Sequence, residues 1–185
     1  MKTENIIENF NSSIKFAFVL LVAIALRFIP HPPNVEPILT SLVPFGKKVS
    51  TLMLGMFGFL AIIVYDAANG QVGPWTIFTA TAYLLVAVGY SLFIKKFKNP
   101  GAIKLASFAI VATLFYDITT MFAFGKIFSY PLPILITGQI PFTLLHIASN
   151  VFGVLVISPL ISKYIVENPS IDIIATKTES AEITL

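Results

Sequence analysis

Long apolar runs, separated by short clusters of proline, glycine and lysine, set the pattern of this chain. The runs cover 16–29, a short stretch near 35–46, then 49–65, 75–94, 105–123 and about 138–162. Between them stand PHPPNVEP at 30–37, NGQVGP at 69–74, KKFKNPG at 95–101 and YPLP at 130–133. Residues of these types stop helices and make turns. Most runs approach the roughly 20 helical residues that cross a bilayer core of about 30 Å. The second run is the exception. Its eleven or so helical residues rise only about 16 Å, so it is expected to be partly extended or to sit behind other helices. The first run follows mostly polar residues and ends at Pro30 without a small-residue cleavage site. It is therefore expected to remain as a first helix and not to be removed as a signal peptide.

Composition narrows the class. Apolar residues make up 56% of the chain and charged residues 11%, and the mean hydropathy is +0.87. Ordinary soluble domains carry about a quarter charged residues. An all-α integral membrane protein of one domain is predicted, with a six-transmembrane-helix bundle over 16–163, an N-terminal cytoplasmic segment over 1–15 and a C-terminal cytoplasmic tail over 164–185. The absence of cysteine removes disulfides, thiolate metal sites and cysteine nucleophiles together.

The net charge of +3 is more informative by position than as a total. Lysine and arginine near helix ends concentrate on the cytoplasmic side. With the N-terminus inside and six spans, Lys2, Lys15, Lys47, Lys48, Lys95, Lys96, Lys98, Lys104, Lys163 and Lys177 lie inside, against Arg27 and Lys126 outside. That contrast favours both termini in the cytoplasm. It places 30–37, 67–75 and 124–137 outside, where they could cover an outward-facing pocket.

Two aspartates interrupt the apolar runs. An ionised carboxylate within a bilayer costs at least a few kcal/mol, so it normally faces a cavity or a partner. Asp117 stands about 9 Å below the expected outer end of its helix, whereas Asp66 stands at a helix terminus, where it could meet water or cap the next turn. Each follows a tyrosine, and AIIVYD at 61–66 repeats loosely as ATLFYD at 112–117, a pattern compatible with a duplicated hairpin. On the last helix His146 and Asn150 are four residues apart and share a face, with Gln139 nearer the outer end. His146 comes to about the depth of Asp117. Two readings of that pair stand side by side: a binding site, or polar glue between helices worth about a kcal/mol. Arg27, His31, Asn34 and Glu36 crowd the first outer loop, and Asn69 and Trp75 flank the second. Trp75 also suits an interfacial anchor.

No glycine-rich phosphate loop and no recognisable Ser-His-Asp context is present. Nucleotide hydrolysis is therefore not assigned to this chain, and no enzyme activity, cofactor or metal is expected; Asp66, Asp117, His31 and His146 lack the spacings of a metal site.

The layout resembles the S components of energy-coupling factor (ECF) transporters, small six-helix membrane proteins that capture vitamins and related micronutrients. The resemblance rests on size, six spans with inside termini, the proline-rich PHPPNVEP, and the D-x6-G-P-W-T pattern at 66–76, and it covers about 14–163. It implies a substrate pocket near the outer surface under the three outer loops. It also implies a separate ATPase pair and a separate membrane coupling subunit as partners. Two departures matter, the first for the face that would dock on the coupling subunit and the second as an argument against nickel or cobalt as the solute. Ala17, Ala23 and Ala25 lack the four-residue spacing of small residues found in the first helix of many members, and Met1-Lys2 replaces the Met-His of metal-specific relatives.

The reading that follows is a substrate-capture subunit in the plasma membrane, binding a small water-soluble solute. Asp117, His146, Asn150 and Asp66 are the expected pocket groups, and Asn34, Glu36, Asn69 and Trp75 the expected loop contributors. Three rivals are a proton-coupled secondary carrier working through Asp117 and His146, a membrane enzyme using Asp66 and Asp117 as paired carboxylates, and a structural subunit.

Overall fold

The computed structural model describes residues 2–32 and 34–174, with side chains from residue 6 onward. Most of the described residues are helical, and no strand occurs among them. Helix α1 spans Lys2–Leu26, α3 Thr51–Ala68, α4 Pro74–Phe97 and α5 Ala102–Phe128, with the short α2, Ile38–Leu42, between the first two. The last rod begins as α6, Leu132–Phe152, passes through a π-helical turn at Gly153–Ile157 and one α-turn, α7, at Ser158–Ile161, and ends π-helical at Ser162–Val166. Five of these helices are long and apolar enough to cross a membrane.

The distribution of polarity is that of a bundle solvated by lipid. Leu52, Val111 and Leu144 are 73%, 64% and 65% exposed, while Asp117, His146 and Asn150 are 3%, 1% and 2% exposed. A surface as apolar as the core cannot face water without associating. In hydrocarbon it is satisfied, and the polar side chains must turn inward to find partners. The molecule is a multi-pass helical membrane protein.

Several element bounds differ from the sequence pattern. The polar residues ahead of position 16 are helical, because nothing between Lys2 and Leu26 breaks a helix and Asn11, Ser12 and Lys15 are buried. Much of 124–137 is also helical: α5 runs on to Phe128 and α6 begins at Leu132, leaving a connection of only three residues. Ser129 there takes a left-handed φ of 55° and closes α5. The rod persists to Val166, beyond the predicted start of the tail at 164. Residues 175–185, with Lys177, lie outside the described residues.

The short second run is fully buried from Ile38 to Val43. Together with the 3-10 turn at Val43–Phe45 it rises only about 12 Å along the bundle. The residues that flank it nevertheless contact different levels of the bundle. Arg27, beyond the end of α1, donates to the carbonyl of Ala61 in the second half of α3 at 3.4 Å, and Lys48 pairs with Glu8 in the first half of α1 at 3.4 Å. The remaining distance is covered by the extended arm that precedes α2. Phe45 and Phe57 pack on Phe16, with ring centroids 5.1 and 5.0 Å away.

Helices α3 and α4 form the tightest pair. At Gly58 a Cβ would stand 2.7 Å from the Tyr83 carbonyl oxygen, so only glycine permits this approach. Ser50 caps α3 by accepting from Met53 N–H at 3.2 Å. The lysines gather at one end: Lys47 donates to Asn99 at 2.7 Å, Lys95 to Thr51 at 2.5 Å, and Lys104 lies 4.6 Å over the Phe97 ring. Also at this end, Lys15 pairs with Asp172 at 2.5 Å and donates to the carbonyl of Asn168 at 2.8 Å. Asn11 exchanges two hydrogen bonds with the backbone of Ile174, at 2.9 and 3.2 Å. Residues 167–174 are thereby strapped across α1.

Candidate functional site

The end of the bundle opposite the lysines holds a cavity of about 530 Å³, lined chiefly by α5, α6 and the arm before α2. Its polar lining comes from Asn34, Thr79, Asp117, Thr120, Gln139 and Tyr130, and its aromatic lining from Tyr116, Phe124 and Phe142. Two helical stripes build it. On α5 Thr113, Asp117 and Thr120 follow at spacings of four and three, and on α6 Gln139, Thr143, His146 and Asn150 follow at four, three and four. Each set therefore occupies one helix face.

Asp117 is the buried carboxylate at the cavity floor. Thr143 Oγ1 donates to its Oδ2 at 2.7 Å, and His146 Nδ1 lies 2.8 Å from its Oδ1. Gln139 Nε2 in turn donates to Thr143 Oγ1 at 3.1 Å. An ionised carboxylate only accepts, so His146 carries its proton on Nδ1. These donors replace water around a charge that would otherwise be prohibitive at that depth. The contact between Asp117 and His146 expected from helix depth is present, although α5 continues to Phe128, which puts Asp117 about 16 Å below the helix end and not 9 Å.

The remaining expected site residues are distributed around this floor. Asn34 lines the cavity with a left-handed φ of 62°, a conformation that asparagine tolerates better than most residues, and its carbonyl accepts from Ser149 Oγ at 2.9 Å. The arm is thus pinned to α6. Asn150 is buried beneath His146 and donates to Thr113 Oγ1 at 2.9 Å. Glu36 lies behind the cavity, not in its lining: Arg27 Nη2 meets its Oε1 at 3.3 Å and Tyr83 donates to its Oε2 at 3.1 Å. Arg27 itself lies 4.0 Å over the Tyr65 ring.

Asp66 is not in the lining of this cavity. Asp66 Oδ2 accepts from Thr76 Oγ1 at 2.6 Å, and Thr76 Oγ1 accepts from Gly73 N–H at 3.1 Å. It organises the turn from α3 into α4. Asn69 closes α3 through its N–H to the Tyr65 carbonyl at 2.9 Å and its side chain is exposed. Trp75 reaches the cavity only at its rim, through Phe124 and Phe128 at ring-centroid distances of 6.4 and 5.9 Å. His31 is exposed, with Nδ1 2.6 Å from the Ile29 carbonyl.

Thr143, Thr113, Tyr116 and Thr120 were not singled out by the sequence, yet they surround the floor. The signal for them was there: each is three or four residues from Asp117 or His146 or, in the case of Tyr116, adjacent to Asp117. No three carboxylate or imidazole side chains come together among the described residues.

The fold and this floor define a multi-pass helical membrane protein with a carboxylate–imidazole pair beneath an open cavity. Comparison with family models, curated proteins and solved structures finds no match.

Proposed function

We propose that this chain is the substrate-capture subunit of an ECF-type importer, taking a small water-soluble solute, a vitamin or its precursor, from outside the cell. In this reading the chain crosses the plasma membrane six times, with both termini and the lysine-rich end in the cytoplasm. The observation that carries it is the cavity at the lysine-poor end, whose volume of about 530 Å³ falls in the range of small-molecule sites, roughly 300–1,000 Å³. Phe124, Phe142 and Tyr116 offer a planar ligand an apolar wall, while Asp117, Asn34, Thr120 and Gln139 offer hydrogen bonds. The acidic floor favours a ligand with a cationic or donor-rich group. Separate ATPase and coupling subunits would drive release inside.

A second reading has its own observation. The Asp117–His146 pair is buried in a span, where such pairs relay protons, so the same cavity would suit a self-sufficient proton-coupled carrier.

A thermal-shift screen of the purified protein against water-soluble vitamins and their precursors tests the first reading. A ligand binding only the folded state at one hundred times its Kd adds about 2.7 kcal/mol of stability. One solute is expected to raise the melting temperature of the wild type, and Asp117→Asn is expected to weaken that solute at least ten-fold while remaining folded. Absence of any shift at millimolar ligand rejects capture. Uncoupler-sensitive uptake by the chain alone, in proteoliposomes, selects the carrier.

A further inference from the structure

Beneath the Asp117–His146 pair lies a second, much smaller cavity of about 10 Å³, lined by His146, Asn150 and Thr113 together with Tyr83, Tyr116 and Leu39 among others. Two of these lining residues carry a buried side-chain atom, His146 Nε2 and Asn150 Oδ1, that meets no hydrogen-bond partner among the described residues. Both residues are more than nine-tenths buried. An orphaned buried polar atom costs about 1–3 kcal/mol, and two on residues that line one nook call for a common cause.

The hydrogen-bond directions give the character of both atoms. Thr113 spends its proton on the Ala109 carbonyl at 2.7 Å, so its oxygen must accept from Asn150. That fixes the amide with Nδ2 on Thr113 at 2.9 Å and leaves Oδ1 as an unpartnered acceptor. On the other wall His146 Nδ1 lies 2.8 Å from the Asp117 carboxylate; with the ring neutral and its proton on Nδ1, Nε2 is a lone-pair acceptor. Two acceptors cannot satisfy each other. A molecule that donates twice satisfies both, and about 10 Å³ is the space of a single water-sized molecule.

We propose that His146 Nε2 and Asn150 Oδ1 form an internal site, between α5 and α6, for one small double donor, a water or an ammonium ion. Occupied, it closes a continuous chain of hydrogen bonds from Gln139 at the outer cavity through Thr143, Asp117, His146 and Asn150 to Thr113 and the Ala109 carbonyl. Asn150 is then a positioning residue: through the bound molecule it holds the His146 ring in its Nδ1–H form and so presents Asp117 to the outer cavity. The site does not depend on what that outer cavity binds.

Nitrogen NMR of the full chain in bilayers tests this, because the protein has only two histidines, His31 and His146, and H31Q leaves one. With isotope-labelled histidine in H31Q at neutral pH, Nδ1 is expected to carry a proton. Nε2 is expected to be unprotonated, displaced from the free-imine position by a donated hydrogen bond and cross-relaxing with a water proton. Added ammonium separates the two sources: an unchanged Nε2 signal assigns water, and a saturable displacement assigns ammonium. N150L, which removes one acceptor and fills the nook, is expected to abolish the cross-peak and return Nε2 toward the free-imine position. A proton on Nε2, or a free-imine signal in H31Q with neither water contact nor response to ammonium, overturns the proposal. These readouts need only the histidine variant, so failure of N150L to fold does not shield it.

Discussion

Side chains of one type play different parts here according to depth. Asp66 and Asp117 both follow a tyrosine in similar hexapeptides, yet one ends up inside a turn and the other on a cavity floor. The difference lies in what is within reach. Two residues from the end of α3, Asp66 meets the following loop and takes the hydroxyl of Thr76. Well within α5, Asp117 can meet only a neighbouring helix, and α6 supplies a hydroxyl and an imidazole. Replacing Thr76 by valine removes a buried donor to a carboxylate and is expected to cost about 1–3 kcal/mol. A lower melting temperature with an unchanged solute response would be measured if Asp66 acts on the turn alone. A lost response at intact stability would return Asp66 to the binding site.

Helix periodicity made much of this floor readable in advance. His146 could be placed near the depth of Asp117 by counting rise per residue, and Asn150 on the same face as His146, without tertiary information, although the count set Asp117 too shallow because α5 runs on to Phe128. The involvement of Glu36 with Tyr83, and of Asn34 with Ser149, could not, because the arm before α2 has no period and its course depends on what the last rod offers it.

At the scale of elements the apolar runs identified every long helix, while their ends were misplaced wherever a polar residue was buried by a partner far along the chain. Asn11 and Lys15 are the case in point. In sequence they read as a solvated leader; in the fold they are held by Ile174, Asn168 and Asp172, more than 150 residues away. The strap gives a prediction at this scale. Breaking a close charge-assisted contact costs about 1.5–3 kcal/mol, so Asp172→Asn is expected to lower the stability of the purified protein by about 2 kcal/mol. In a double-mutant cycle with Lys15→Met the two changes should be non-additive, since each abolishes the same pair. Additive losses would mean that the ion pair contributes nothing and the strap is held by its backbone contacts.

For the whole molecule, hydropathy alone was sufficient for the class, because only helices or closed barrels satisfy the backbone within lipid. The number of passes is a finer matter, since the segment around α2 is too short to be recognised by length. The gathering of lysines at one end supplies the expectation of sidedness, and the lack of native cysteine makes it simple to test. In intact cells Gln71→Cys, between α3 and α4, is expected to react with a membrane-impermeant maleimide, and Asn99→Cys, between α4 and α5, only after the membrane is opened. The reverse pattern would invert the molecule and put the large cavity on the cytoplasmic side.

The seating of α2 also bears on how the protein is made. This segment is synthesised second, yet several of its fastenings come last: Ser158 donates to the Thr40 carbonyl at 2.6 Å, Ser149 to that of Asn34, and a Cβ on Gly153 would overlap Thr40 Oγ1. A growing chain exposes α2 long before the rod that holds it has left the ribosome. Being too short to insert independently as a spanning helix, it must wait at the membrane surface or in a provisional position while α3, α4 and α5 enter. Biogenesis would then finish with the closing of an interior that was left open from the start, and a nascent chain arrested ahead of Gly153 would present to the quality-control machinery a nearly complete set of helices around an unfilled centre.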